Sequence, residues 1–337
     1  MLRVVARRLV QLVPILLGLS FVVFAWVRAL PGGPATALLG PDQQESSATA
    51  GAEIDRLYGL DQPLHRQYLT YLDRLAHLDL GQSVTTRQPV VDEIRRRFPA
   101  TVELAVAALL VAVAGGVPAG YLAARHRRRW FDHLSLSASV VALSVPAFFL
   151  GYLLKYVFVV RLGWLPGVGR LDVTRELGHP TGFYVLDSLL AGDGPALVDA
   201  LRHLVLPALA LGSVPLAFIA RITRASVLDV LDEDYVRTAR ASGLPPATVA
   251  RQAVLRNALP PVATVVGLTA GSLLSGAVLV EIVFSWGGMG SFVQDAIVHR
   301  DYPVLQGAVL LLTAVVVAVN LAADLAHALL DPRVRLE

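Results

Sequence analysis

RITRASVLDVLDEDYVRTARASGLPPATVARQAVLRNALPP, residues 221–261, is a polar segment between two long apolar runs. Acidic residues at 232–234 precede its helix-forming stretch and Gly243 follows it, a pattern that predicts where a helix begins and ends. The prolines at 245–246 can open a second helix, because proline is tolerated in a first helical turn. We therefore predict two helices, the second at 247–257, joined at a tight glycine corner.

The first predicted helix has the composition of a docking surface. Arg237 and Arg240 share one face, while small neighbouring side chains let another surface come close. The small residues are Thr238, Ala239, Ala241 and Ser242. Two interpretations stay open from these residues alone: a docking element for another protein, and a solvated hairpin between helices.

The composition is that of an integral membrane protein. The 337 residues are 55% hydrophobic and 16% charged, with a mean hydropathy of +0.60, which is too apolar for a domain with a fully wetted surface. The absence of cysteine excludes disulfides, thiolate catalysis and cysteine metal sites. Lys155 is the only lysine and no Ser or Thr follows it, so the chain has no ATP-binding P-loop of its own. The eight histidines show no ligand spacing, and we predict neither a metal site nor covalent catalysis.

Six apolar runs, each about as long as a helix that crosses a bilayer, predict an all-α polytopic membrane protein with six transmembrane helices. They lie at 9–30, 104–124, 134–154, 204–220, 258–280 and 302–323. The first run exceeds the ~7 to 15 residue core of a signal peptide, so we expect a retained helix. The predicted organisation is a tail and first helix at 1–30, an outer loop or cap at 31–99, and a core with five further helices at 100–337.

Arginine placement puts both termini and the 221–261 segment on the cytoplasmic side. The N-terminal tail, the turn at 125–129, the 221–261 segment and the tail at 333–335 share one side if six helices cross. The arginines at 95–97 fall on the outer side, but they end a loop longer than the ~60 residues over which the rule is reliable. That loop also has an amphipathic pattern around Tyr68, which predicts a helix, either in a small folded cap or at the membrane interface.

Few ionisable groups lie in the apolar runs. Lys155 and Glu103 are near run ends and are expected to reach back to the membrane interface. Glu281 precedes a glycine-rich turn at 286–290, and an ionisable residue in a membrane is a candidate functional group because its burial without a partner is costly. Pro146 permits a kink in the third run, and bent helices often line transport paths. The candidate path residues are Pro146, Glu281, Phe284, Trp286 and Met289.

Motifs along nearly the whole chain resemble one family. Arg237-Thr-Ala239 stands where the coupling motif of that family has Glu-Ala-Ala, and Gly243 stands at the motif glycine. Further matches are Arg7-Arg8-Leu-Val-Gln-Leu-Val-Pro14, Leu30-Pro-Gly-Gly-Pro34, Tyr58-Gly-Leu-Asp-Gln-Pro63, Asp79-Leu-Gly-Gln-Ser83, Arg97-Phe-Pro-Ala-Thr101, Arg300-Asp-Tyr-Pro303 and Asp331-Pro-Arg333. The chain resembles the membrane subunits of binding-protein-dependent ABC importers, in the dipeptide/oligopeptide permease branch, and within that branch the first, B-type, subunit.

The resemblance implies the type I permease fold of ABC importers and a function shared among partners. Two homologous permease subunits would form the path for di- or oligopeptides in the bacterial cytoplasmic membrane, and an extracytoplasmic substrate-binding protein would deliver the cargo. Two ATPase subunits would bind ATP and Mg²⁺, so this chain would be no enzyme, would need no cofactor, and would bind lipid but no nucleic acid. Coupling to the ATPases is implied for Asp234, Tyr235, Arg237, Thr238, Ala239, Arg240, Ala241, Ser242 and Gly243.

Two alternatives to a peptide importer stay open. Importers of nickel, glutathione or haem use similar subunits, so the same kind of permease with another cargo is the nearer alternative. An ion-coupled secondary transporter is more distant, because it would be expected to carry midplane ionisable groups and an inverted repeat, and neither is visible in the sequence.

Overall fold

The computed structural model describes residues 2–29, 62–175, 178 and 180–330, with side chains from residue 13 to residue 322 within these ranges. Helices dominate, and the only β structure in the described part of the chain is an isolated antiparallel bridge between Gln82 and Pro89. The predicted all-α architecture is confirmed. Residues 31–61 of the predicted outer loop, and the arginines in the C-terminal tail, lie outside the described residues.

We label the described helices in chain order. They are α1 (Leu2–Ala29), α2 (Leu64–Ala76), α3 (Val90–Arg125), α4 (Trp130–Ser144), α5 (Ala147–Arg161), α6 (Tyr184–Leu190), α7 (Gly194–Leu231), α8 (Asp234–Ala241), α9 (Pro246–Phe284), α10 (Met289–Val298) and α11 (Tyr302–Leu330). Two stretches are π-helical: Lys155–Arg161 at the end of α5, and Val249–Leu255 near the start of α9.

Among the described residues, four helices are long and apolar enough to cross a membrane, namely α3, α7, α9 and α11 over Tyr302–Ala322. They confirm four of the predicted spans. The first run forms a shorter apolar helix, Val13–Ala29, counted over its described side chains. The total of six crossings therefore stays a prediction.

The third run, predicted as one span at 134–154, is a broken pair of helices. α4 and α5 meet at a bend of 105°. Val145 between them is extended, with φ −95° and ψ 121°, which is the conformation that a following proline favours. Pro146 thus does more than kink a helix, because it separates two.

The chain forms two compact units. The first comprises Met1–Ala100 and Gly287–Val317, and the second comprises Thr101–Trp286 and Ala318–Glu337. The core of the first unit is an apolar cluster from α3, α10 and α11 with the buried residues Val90, Ile94, Met289, Phe292, Ala296, Val304, Leu305 and Ala308.

In the first unit, α2 is the helix that the amphipathic pattern around Tyr68 predicts. Tyr68 Oη lies 2.9 Å from Ser20 Oγ of α1, and the Tyr68 ring meets the Phe24 ring edge-on with 5.1 Å between centroids. Burial, with a smaller contribution from neighbouring Tyr68, raises the pKa of Tyr71 to about 12. The predicted helix of the outer loop is therefore confirmed, and its inner face packs on α1.

The second unit is organised around α7, which contacts α4, α5, α6 and α9. Glycines also let α3 approach α7 closely. A Cβ on Gly120 would collide with the backbone oxygen of Ala220, and one on Gly212 would lie 2.7 Å from the backbone oxygen of Ala108. Small residues are what allow membrane helices to come this close. The packing fixes α7, and α7 in turn leads directly into the segment that contains α8.

Candidate functional site

α8 occupies the centre of the 221–261 segment. Asp234 lies in its first turn, the helix ends at Ala241, and Gly243 follows with a φ of +75°. This is the left-handed conformation that ends many helices and that glycine adopts without strain. The predicted first helix and its glycine corner are confirmed.

Val236 anchors α8 to the second unit. Its side chain is fully buried in an apolar cluster. The other buried members of the cluster are Ala124, Val227, Val249, Val254 and Ala258. Ala239, on the same side of α8, is half-buried against this cluster. Because the cluster joins α8 to the ends of α3 and α7 and to the start of α9, a displacement of α8 acts on all three helices.

The other residues predicted for coupling are exposed. They are Asp234, Tyr235, Arg237, Thr238, Arg240, Ala241, Ser242 and Gly243. Arg237 Nη1 lies 3.2 Å from Asp234 Oδ1, with the two side chains 68% and 94% exposed, and such exposed pairs contribute only ~0 to 1 kcal/mol. A partner can therefore re-pair these charges at little cost. α8 thus presents small and charged side chains outward from an apolar anchor.

The second predicted helix does not end at residue 257. α9 begins at Pro246, as the proline pair predicts, but it continues through the π-helical stretch to Phe284. Ala258 and Val262 are buried against neighbouring helices, which supports the helix across the prolines at 260–261. The predicted boundary is wrong because the polar side chains before it mark an exposed face and not an end.

Several carboxylates of the second unit are buried and paired. Glu281 Oε1 accepts a hydrogen bond from Thr101 Oγ1 at 2.6 Å. Glu103 Oε2 lies 2.6 Å from Arg170 Nη2 with both side chains 9% exposed, so the expectation that Glu103 reaches the interface is wrong. Asp132, with its side chain 3% exposed, pairs with Arg224, whose side chain is 22% exposed. Nothing local in the sequence marks these pairs. In the described ranges no group of three or more His, Cys, Asp or Glu residues could hold a metal ion.

Lys155 also points into the protein. Its Nζ donates a hydrogen bond to the backbone oxygen of Val283 at 2.9 Å, and the backbone N–H of Gly169 donates one to the oxygen of Phe284, also at 2.9 Å. Both acceptors are last-turn carbonyls of α9, which have no partner within the helix. Lys155 therefore caps α9, and the expectation that it reaches the interface is wrong.

The candidate path residues occupy different environments. Pro146 is exposed at the break between α4 and α5. Glu281, Phe284 and Trp286 are buried inside the second unit around the capped end of α9, and Met289 is buried in the core of the first. In this conformation the four buried side chains serve the packing of their own unit. Their part in a path stays a prediction.

Comparison with known proteins identifies the family. The sequence profile described as "Binding-protein-dependent transport system inner membrane component" matches residues 116–336, and the profile of the N-terminal part of such components matches residues 1–105. The di/tripeptide transport system permease protein DppB of Pseudomonas aeruginosa is 47% identical over 335 residues, 99% of each chain. The dipeptide transport system permease protein DppB of Escherichia coli K12 is 42% identical over 338 residues, again 99% of each. The glutathione transport system permease protein GsiC of Escherichia coli O6:H1 is 41% identical over 335 residues, 99% of each.

Solved structures show the same fold. An inward-facing conformation of the MetNI methionine ABC transporter matches with a TM-score of 0.52 at 18% identity, covering 69% of this chain and 93% of that one. A second crystal form of the same transporter matches with a TM-score of 0.51 at 17% identity. The fold is therefore that of ABC importer permeases, and the family resemblance of the motifs is confirmed. The chain belongs to the inner membrane components of binding-protein-dependent transport systems, as a multi-pass permease subunit.

Proposed function

We propose that this chain is one of two permease subunits through which an ATP-driven importer moves di- and oligopeptides into the bacterial cytoplasm. The observation that supports peptides as the cargo is the sequence identity of 41–47%, over the whole length, to relatives named as dipeptide or di/tripeptide permeases. The similarity to a glutathione permease at 41% favours glutathione as the second candidate, and glutathione is itself a tripeptide. Nickel, haem and ion-coupled transport are not favoured.

The proposed coupling site is the exposed side of α8. A short helix that presents Tyr235, Thr238 and Ala241 outward while Val236 holds it from behind is suited to a groove on an ATPase subunit. ATP binding and product release must favour different arrangements of the permease, since only differential binding shifts a conformational equilibrium. The contact at α8 gives the ATPases the means to exert that preference on the second unit.

The remaining partners follow from this role. A second homologous permease subunit completes the path, two ATPases bind on the cytoplasmic side, and a substrate-binding protein delivers peptide from outside. We place α8 and both termini in the cytoplasm, which agrees with the arginine-rich turn between α3 and α4.

The proposed coupling site is tested by placing a large side chain among the small residues on the exposed face of α8. Ala241→Trp adds a large side chain at an exposed position, so the fold should tolerate it while the ATPase contact should not. In the reconstituted complex we expect ATPase retention by the permease pair to fall at least tenfold, about 1.4 kcal/mol, with peptide uptake falling in parallel. The matched control is Ala191→Trp at the exposed end of α6, which should leave ATPase retention unchanged. Wild-type retention and uptake in Ala241→Trp would refute docking at α8.

The cargo is tested in the same proteoliposomes with the cognate binding protein and ATP. Unlabelled dipeptides and tripeptides should each compete with uptake of a labelled dipeptide, and nickel ions should not. Uptake of glutathione without any uptake of dipeptides would establish the second candidate in place of the first.

A further inference from the structure

Asp132 is a buried carboxylate whose hydrogen bonds are all made by groups of the second unit. It lies in the first turn of α4 and is 2% exposed. Its Oδ1 accepts from Arg224 Nε at 2.5 Å, and its Oδ2 accepts from Arg224 Nη2 at 2.9 Å and from the backbone N–H of Arg128 at 2.9 Å. The contact to Arg224 is bidentate, and a bidentate contact fixes the orientation of the two side chains as well as their distance.

The pair joins α4 to the part of α7 that leads into α8. Arg224 and Val227 lie in the last turns of α7, and Val227 packs in the apolar cluster that holds Val236 of α8. α3 packs closely against α7 at this level, because a Cβ on Gly120 would lie 2.7 Å from Thr223 Cβ and 3.0 Å from the backbone nitrogen of Arg224. A contiguous set of packed side chains therefore runs from α8 through the end of α7 to Asp132.

Asp132 is also connected to the break in the third predicted span, because it lies at the start of the helix that ends there. α4 runs from Trp130 to Ser144 and ends at the extended Val145, where the chain turns by 105° into α5. No helical hydrogen bonding continues across such a break, so α4 and α5 can change their relative angle more easily than the halves of an intact helix. Whatever displaces the start of α4 therefore acts on this joint.

We propose that Asp132 and Arg224 are positioning residues for transport, an ion pair that transmits movement of α8 to the joint between α4 and α5. The proposal rests on the proposed docking of ATPases at α8. The type of contact supports it, because buried ion pairs add little net stability over apolar packing, yet they fix one geometry. An apolar contact at this place would hold the helices together without the directional hydrogen bonds that fix their orientation.

A second, weaker contact offers a control in the same region. Arg127 Nη1 lies 4.0 Å from Asp232 Oδ2 between the α3–α4 turn and the start of the loop before α8. Both side chains are more than half exposed, so this pair holds no fixed geometry. Arg127→Gln removes a neighbouring arginine without touching the buried pair. Glu103→Gln removes a partner from a different buried ion pair of the same unit.

The experiment measures peptide taken up per ATP hydrolysed in the complete complex with its binding protein. We expect Asp132→Asn and Arg224→Gln each to lower this ratio at least about fivefold. A fivefold effect is the smallest that is usual for coupling between two sites. The double variant should be no worse than either single one, because the two residues act as a unit. Arg127→Gln and Glu103→Gln should keep the wild-type ratio, even where less complex assembles.

The readout separates transmission from simple structural support. A pair that only stabilised the fold would lower the amount of assembled complex and leave uptake per ATP at the wild-type value, and that result would overturn the proposal. If neither variant assembles, Arg224→Lys provides the test, because lysine keeps the positive charge but cannot make the bidentate contact of the guanidinium. A lowered ratio in Arg224→Lys supports transmission, and a wild-type ratio overturns it. Failure of the proposed function would instead be seen in the wild-type complex, as absence of ATP-driven peptide uptake.

Discussion

At the scale of single residues, Gly243 is the position whose backbone the proposed docking depends on most directly. Its φ of +75° costs an L-residue with a side chain roughly 1–2 kcal/mol, and no atom lies within 4 Å of a Cβ there, so strain is the whole cost of Gly243→Ala. Proline fixes φ near −65° and cannot adopt the corner at all. We expect Gly243→Ala to keep most ATPase retention and peptide uptake and Gly243→Pro to abolish both, measured in the reconstituted complex.

Gly163 provides the matched control for that prediction. It also has a positive φ, +63°, with no atom within 4 Å of a Cβ, but it lies after α5 and away from α8 in the sequence. Gly163→Pro distorts a loop of the same kind, and ATPase retention should not change. Equal loss of ATPase retention in Gly163→Pro and Gly243→Pro would mean that the corner after α8 has no special part in docking.

Some residues at this scale were predictable from sequence and others were not. Gly243 was, because a glycine after a helix-forming stretch has a local physical cause. Asp132 and Arg224 were not, because they are 92 positions apart and each is ordinary in its own surroundings. Glu103 and Lys155 misled the prediction because a charge near the end of an apolar run looks the same whether it reaches water or a buried partner.

At the scale of helices, the close contact between α3 and α7 makes a second prediction. A Cβ on Gly120 would collide with backbone atoms of α7, which cannot move aside as a flexible side chain can. Overpacking of this kind costs typically ~1 to 3 kcal/mol, and we expect Gly120→Leu to reach or exceed that range. The result should be a lower midpoint of thermal unfolding in detergent and less assembled permease.

Gly18→Leu is the control for the α3–α7 contact. Gly18 lies in the apolar helix α1, and no atom lies within 4 Å of a Cβ there. The same substitution should therefore change the free energy of unfolding by less than about 0.5 kcal/mol, and the thermal midpoint should stay close to that of the wild type. If Gly120→Leu is equally harmless, α3 and α7 do not approach as closely as described.

Apolar runs can be located in the sequence more accurately than the ends of the helices that they form. A membrane helix has no polar face whose loss marks its end, so Pro146 predicts only a kink in the run at 134–154 and not the two separate helices that the run holds. Pro207 and Pro215 lie inside the continuous α7, whereas Pro146 begins a new helix. The residue type is the same, and the difference lies in the surrounding packing, which only the folded chain shows.

At the scale of the whole molecule, the class was predictable from composition and the family from its motifs, but the reason for the motifs was not. Asp79-Leu-Gly-Gln-Ser83 and Arg300-Asp-Tyr-Pro303 look unrelated in sequence. In the first unit Ser83 Oγ donates to the buried carboxylate of Asp301 at 2.6 Å, across 218 positions. The same Asp301 accepts from the backbone N–H of Thr85 at 3.1 Å, so both motifs serve one loop contact.

The whole molecule also makes a prediction about energy supply. The only lysine of the chain, Lys155, is engaged in capping α9 through the oxygen of Val283, a role that arginine can also perform. We therefore expect the purified chain to hydrolyse no ATP, and ATP-driven uptake to require the ATPase subunits, the second permease and the binding protein together. Lys155→Arg in the complete complex should keep at least about half of the wild-type ATPase rate, a change of under ~0.5 kcal/mol. ATP hydrolysis by the purified chain that Lys155→Arg abolishes would show that this lysine binds phosphate, and that the chain supplies its own energy.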